Sequence, residues 1–322
     1  MSRDPPHFPP PPRTSAGEPL DPGRPAIPPT GRRRSGLWLV VALLAAPWVA
    51  IQVPREIGRW HLALAIQAQA QGERVQAEQH LLAAMRWFPE HPALYVQQAQ
   101  WRLDEGKREE ALAAIAQVRE AAGDATYWLM VQAYFLQTAG EFEQAVPLWR
   151  IVDQRSQTMG IPPRSEALNG LAYAMALADV ELEEALRLAE EALTLNPDSP
   201  SILDTRGYIL YRLQRYGEAA RDLKRAAAEF DAWLVRLERL LKAEGLVEPV
   251  EPPVALPTAI VELFPSASGR PAVQLAQARR AGAVIHYHLA LVFQAVGRQA
   301  GAELELQKAR ELAGREPDAS LF

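Results

Sequence analysis

Small side chains return along this chain at a fixed interval of 34 residues. Ala65, Ala99 and Ala133 form one series, Ala77, Ala111 and Ala145 a second, and Ala84, Val118 and Val152 a third. A period of this length marks a supersecondary unit that cannot bury its own apolar face and must stack on its neighbours. The content of each unit gives its form. Leu81, Ile115 and Trp149 each follow a small residue by four, the spacing of neighbours on one helix face. Gly72, Gly106 and Gly140 each lie seven residues after the unit's first small residue, where a helix can end in a positive φ. Each unit therefore reads as two antiparallel helices joined by a tight turn.

The pattern continues, with interruptions. Ala185 and Ala192 with Pro197, then Gly207, Ala219 and Ala226 with Leu223, then Ala290, Gly297, Ala302, Leu306 and Ala309 mark three further units. Pro89 and Pro197 close second helices. Between the third and fourth units the step lengthens to about 40 residues, which places an extra loop at Gly160, Pro162 and Pro163. Unit four carries an extra turn residue at Ala178-Asp179-Val180. Between units five and six lie roughly 50 additional residues, 234–282. Their first part, LVRLERLLKAEGL, reads as an amphipathic helix, and VEPVEPPVALP reads as an extended loop. A solenoid end normally needs a polar cover, and the insert is expected to supply it.

These positions resemble the tetratricopeptide repeat (TPR) family, most clearly from Asn196 to Ala226 and from His286 to Ala309. The expected fold class is all-α: a TPR helical-hairpin solenoid of about six repeats, interrupted, preceded by a disordered tail and a single transmembrane helix. The expected divisions are a Pro-rich, basic tail (1–36), a membrane anchor (37–53), units one to three (58–153), units four and five (166–233), the insert (234–282) and unit six (283–316).

Composition fits and excludes. Ala, Leu, Glu, Gln and Arg, all good helix formers, dominate after residue 58. There is no cysteine, hence no disulfide, thiolate metal site or Cys nucleophile. The net charge is −5, and residues 1–36 carry six Arg against three acids, so the remainder is acidic. An acidic body argues against nucleic acid as a partner. No nucleophile elbow, phosphate loop, dinucleotide fingerprint or zincin motif occurs. His286 and His288 lie two apart on a helix and point to different sides, while His61, His80 and His91 have no partner at ligand spacing. The expectation is a chain without catalytic residues, cofactor or metal.

Eleven of the first 30 residues are Pro, a composition that cannot build a core. After Arg32-Arg33-Arg34 comes LWLVVALLAAPWVAIQV, 37–53, about 25 Å long as a helix, the short end of a membrane span. A cleaved leader fits poorly, because cutting after Ala50 or Ala46 leaves Trp48 or Leu44 at the −3 site. A twin-arginine leader is only a loose match, and a buried core helix sits badly beside a Pro-rich tail. Three Arg precede the segment, whereas Arg55 and Arg59 follow it with Glu56 between them. That asymmetry predicts a single-pass protein with a cytoplasmic N-terminus and an extracytoplasmic body.

The resemblance implies that first helices of successive units line a groove for partner proteins or peptides. The residues it places there are Tyr127, Met130, Tyr134, Asn169, Tyr173, Asp204, Tyr208, Tyr211, Arg212 and Tyr287. Tyrosine offers rigid apolar area with a hydroxyl, which suits recognition, but it also packs well between units. Asp204 reads first as a charge near the start of its helix. The expected function is a non-catalytic protein-interaction scaffold tethered to the lipid bilayer through 37–53. The alternative is an accessory or regulatory subunit of a membrane enzyme or a secretion or assembly complex, docking through 234–282.

Overall fold

The structure, a computed structural model, describes residues 32–160, 162–243 and 271–314, with side chains from residue 44 onwards apart from 70 and 271–274. The expected tail up to residue 31, the Pro-rich loop at 247–257 and the last residues of 283–316 lie outside the described residues. The chain divides into two compact units, Met1–Gln52 and Val53–Phe322.

The described residues form twelve helices: α1 Arg32–Ala70, α2 Arg74–Trp87, α3 Pro92–Asp104, α4 Arg108–Ala122, α5 Thr126–Thr138, α6 Phe142–Met159, α7 Arg164–Ala178, α8 Leu182–Leu195, α9 Pro200–Arg212, α10 Tyr216–Ala243, α11 Pro271–Ala295 and α12 Gln299–Ala313. No strand occurs among the described residues.

In the first unit the helix begins at Arg32, inside the segment read as tail. Leu44, Trp48, Val49 and Ile51 are exposed. Among the described residues no helix is long and apolar enough to cross a membrane. Residues 37–43 of the expected anchor are not among those whose side chains are described.

In the second unit the helices pair as hairpins, and one turn closes six of them. The amide just after the left-handed residue of each turn reaches back five residues: Glu73 to the Ala68 carbonyl, Lys107 to Arg102, Glu141 to Leu136, Val180 to Met175, Arg215 to Leu210 and Arg298 to Phe293, at 2.8–3.0 Å. This geometry needs a left-handed residue in the middle. Gly72, Gly106, Gly140 and Gly297 supply it, as their spacing predicts, but Asp179 and Gln214 take the same conformation at φ 57° and 59°. The turn outlasts the loss of its glycine because the stacked hairpins hold it.

Every small residue that defines the repeat is fully buried, from Ala65 and Ala77 through Ala219 and Ala226 to Ala302 and Ala309. Small side chains let the helices of a hairpin approach, and the larger residue one turn on fills the space beside them. Trp149 and Leu223 are wholly enclosed, whereas Leu306 in the last hairpin is only half-buried. Successive hairpins are also joined by ion pairs: Arg74–Glu105 at 2.5 Å, Arg108–Glu141 at 2.6 Å and Arg150–Glu181 at 2.5 Å. Each is partly exposed and worth little by itself, about 1 kcal/mol or less.

Two interruptions take definite form. The long step between units three and four is absorbed by α6, which runs 18 residues to Met159 and ends on Gly160. There the buried Ser156 hydroxyl donates to the Pro162 carbonyl at 2.9 Å and fixes the chain's exit. The helix expected within the insert is not a separate element. Residues 234–243 continue α10 without a break, and residues 271–282 begin α11. Leu234 and Leu241 of α10 pack with Leu275 and Ala278 of α11 and with Leu312 of α12. Arg279 adds a 2.8 Å ion pair to Glu238.

Candidate functional site

The first helices α5, α7, α9 and α11 carry all ten side chains placed in the groove by the sequence, and the structure sorts them into two groups. On α5, Tyr127 and Tyr134 are half-buried and Met130 is buried. Tyr134 meets Trp149 edge-on, with centroids 4.8 Å apart at 88°, and Tyr127 meets Trp128 in the same manner at 5.3 Å. Trp149 is held in turn by its indole N–H, which donates to Gln137 Oε1 at 3.0 Å. These rings sit on a fixed base.

The second group converges from α7, α9 and α11. Tyr208 stacks on His288 at 4.3 Å and 23°, and on Tyr211 at 6.1 Å and 26°. Tyr173 approaches both Tyr208 and His288 edge-on at 6.3 Å. Tyr287 is half-buried, its ring 6.5 Å from that of His288. Asp204 Oδ1 lies 2.8 Å from His288 Nδ1, and both residues are buried. Burial, with the charge of Asp204 and the neighbouring Tyr208 adding to it, pushes the Tyr173 hydroxyl well above the usual phenol range. Arg280 of α11 acts in the opposite sense on Tyr173; on α3, burial raises the Asp104 carboxyl pKa against the hydrogen bond from Gln100 and the charges of Arg74 and Arg280.

Arg212 is engaged within the chain. Its guanidinium donates to the Ala176 carbonyl at 3.0 Å and to the Tyr208 hydroxyl at 3.3 Å, and pairs with Asp179 at 2.7 Å. It satisfies a carbonyl in the last turn of α7 and so fixes α9 against α7. Asn169 of α7 donates to Ser201 Oγ at 3.4 Å, a second link to the next hairpin.

Three expectations are corrected here. Asp204 does not open its helix: α9 starts at Pro200, with Ser199 as the capping residue, so Asp204 lies beyond the first turn. It is a buried partner of His288. Met130, Asp204 and Tyr208 are buried rather than displayed, at 7% exposure each. Tyr127, Tyr134, Tyr173, Tyr211 and Tyr287 keep part of their surface open. The third concerns two of the histidines, which the sequence left apart and which meet in the structure. His61 and His80 bring their Nδ1 atoms to 3.1 Å across the first hairpin, and burial first, then the charge of His80, lowers the His61 pKa.

His286 and His288 do point to different sides, as their spacing predicts, but each meets acids from other helices. His286 Nδ1 lies 2.6 Å from Glu305 Oε2 on α12, and its Nε2 lies 3.1 Å from Asp231 Oδ1 on α10. A signal for this was present: Asp204 and Glu305 interrupt apolar helix faces, and a carboxylate buried there needs a donor. Its location on a third helix was not legible. Among the described residues no group of three His, Asp or Glu side chains is placed to hold a metal ion.

No family model matches the chain. A TPR repeat-containing protein of Pseudomonas aeruginosa is 39% identical over 69 residues, which make up 21% of this chain. The chain thus spans 12% of the length of that curated relative. Among solved structures, PilW, described as a widely conserved type IV pilus biogenesis factor, is similar with a TM-score of 0.48 and 12% identity, over 79% of this chain and 93% of that one. A tetratricopeptide repeat protein from Parabacteroides merdae gives 0.45 with 17% identity, over 80% and 93%. A structure of pilF from Pseudomonas aeruginosa gives 0.43 with 16% identity, over 81% and 94%.

Proposed function

We propose that this chain, a tetratricopeptide-repeat protein by its 34-residue period and its stacked hairpins, is a non-catalytic scaffold that holds partner proteins at a membrane. One observation carries the reading: the first helices present a row of half-open aromatic side chains on a base braced by the Trp149–Gln137 and Arg212–Ala176 hydrogen bonds. Tyr127 and Tyr134 on α5 and Tyr173, Tyr211 and Tyr287 beyond them offer rigid apolar area with hydroxyls, at little entropic cost on binding. A partner segment lying across these helices gains contacts from several units at once.

The tether is residues 37–53, supported by their apolar run and by the exposure of Leu44, Trp48, Val49, Ile51 and Val53. The Arg triplet before it favours a cytoplasmic N-terminus and a body on the far side. The second reading, an accessory subunit of a membrane enzyme or a secretion or assembly complex docking through 234–282, is favoured by Val235 and Leu240, exposed on the continued α10 next to the exposed Trp233. In-membrane crosslinking followed by partner identification separates the two. Replacing Tyr127 and Tyr134 with Ala is expected to abolish capture, leaving a variant with Leu240→Ser and Trp233→Ser unaffected. The reverse pattern sinks the groove reading in favour of the helical extension. Capture that survives both pairs of substitutions refutes both.

A further inference from the structure

The last hairpin, α11 with α12, is joined to the preceding one by an arrangement that the apolar repeat does not require. Ile285, Leu289, Val292, Phe293 and Ala302 already bury it in the common core. Set among them is His286, 1% exposed, with Glu305 of α12 at 2.6 Å on one ring nitrogen and Asp231 of α10 at 3.1 Å on the other. A neutral imidazole carries one N–H donor, and an ionised carboxylate only accepts. Both contacts are hydrogen bonds at once only when the ring is an imidazolium. The position thus holds a buried cation whose two acids belong to different helices, one of them outside its own hairpin.

We propose that His286 is a proton-dependent latch: its imidazolium clamps the α11–α12 hairpin to α10, and loss of that proton loosens the hairpin and uncovers the Asp204–Tyr208 end of the first-helix face. The groups around it are few. Asp231 faces it from α10, and Glu305 faces it from α12 with Lys308 pairing to Glu305 at 3.4 Å. Two residues on, His288 faces Asp204 and Tyr208 of α9 and Tyr173 of α7, with Tyr287 beside it on α11. On the other side of α11, Lys224 of α10 lies 5.3 Å over the Phe293 ring.

The net direction is fixed by the acids. Burial alone lowers the His286 pKa, but hydrogen bonds to Glu305 and Asp231 and their charges outweigh it, so the pKa stands above the usual 6.5. The Glu305 carboxyl stands below its usual 4.5, because its hydrogen bond to His286 and that charge outweigh burial. A raised histidine pKa contributes stability that is fully present below the unfolded value, 6.5, and is lost as pH rises through the folded value. Acid undoes the clamp only when Glu305 protonates, below 4.5. The latch is closed below 6.5 and opens as pH rises through the raised folded value. Opening by this route becomes easier by about tenfold per pH unit between the two histidine pKa values.

Hydrogen exchange of the full chain, followed by mass spectrometry from pH 6 to pH 9 and corrected for intrinsic rates, tests this without any partner. It therefore fails or succeeds independently of the partner-binding reading. Peptides from α11 and α12 are expected to lose protection with rising pH by up to about tenfold per unit relative to α5–α8, and α9 peptides containing Tyr208 are expected to follow them. In Asp231→Asn, which removes only the half-exposed acid, the transition moves to lower pH. In His286→Gln, protection is lower from the start and the pH step disappears. Should α11–α12 track α5–α8 at every pH, or should Asp231→Asn keep the wild-type midpoint, the latch is refuted. A step that persists in His286→Gln assigns it to another group, and α9 protection that stays constant while α11–α12 open removes the coupling to the first-helix face.

Discussion

One substitution, made at two places, tests the packing on which the repeat rests. A Cβ at Gly170 of α7 falls 2.5 Å from Trp149 Cζ3 and Cη2, where ordinary contact begins at 3.4 Å. The indole has no room to retreat. It is fully buried, its N–H is bonded to Gln137 at 3.0 Å, and the Tyr134 ring abuts it at 4.8 Å. A Cβ at Gly217, in the first turn of α10, meets nothing within 4 Å. Both glycines are helical, so Gly→Ala removes unfolded-chain entropy at each and contributes about 0.4–1 kcal/mol of stability. At Gly170 overpacking opposes that gain by about 1–3 kcal/mol. Gly217→Ala is therefore expected to raise the urea midpoint of the helical circular dichroism signal, and Gly170→Ala to lower it by a net amount on the order of 1 kcal/mol, from the difference of those two terms. Equal increases at both sites refute the claim that the α6–α7 contact is closed around Trp149.

Two further outcomes are expected from polar groups inside the array. Gln137→Leu leaves the Trp149 indole N–H buried without its acceptor and costs about 1–3 kcal/mol, read as a lowered thermal midpoint. Glu105 has its carboxyl pKa lowered to about 2, first by its hydrogen bond to Lys107, with Arg74 and Arg102 adding to it against burial. A depressed carboxyl pKa gives stability present above 4.5 and lost as pH falls toward about 2. Glu105→Gln is expected to flatten that part of the acid limb of an unfolding profile, and an unchanged limb rules the cluster out as its source.

The repeat and most of its core were legible in the sequence because they depend on spacing. A side chain at each helix crossing must be small for steric reasons, and a turn with a left-handed residue favours glycine, so Ala65, Ala99, Ala133, Gly72, Gly106 and Gly140 announce themselves. The turns at Asp179 and Gln214 were less visible, since surrounding packing holds the same backbone without its preferred residue. Which tyrosines stay open was not legible at all. Tyr208 and Tyr211 lie on one helix face in identical chemistry, and only the arrival of His288 from α11 buries the first and leaves the second half-open.

The same holds for the charges. The sequence displayed Asp204, Asp231, Glu305, His286 and His288 as scattered residues, the partners Asp204 and His288 lying 84 positions apart. No periodicity links them, because a repeat specifies contacts between equivalent positions and these pairs are not equivalent. Tertiary structure joined them by continuing α10 to Ala243 and returning α11 alongside it. Local spacing thus determined that the chain is an array of helical hairpins. The particular closure of its last hairpin, by acids and imidazoles that meet only after stacking, was decided by the fold, because burial takes His286, His288, Asp204 and Glu305 from water and the stacked helices supply their partners.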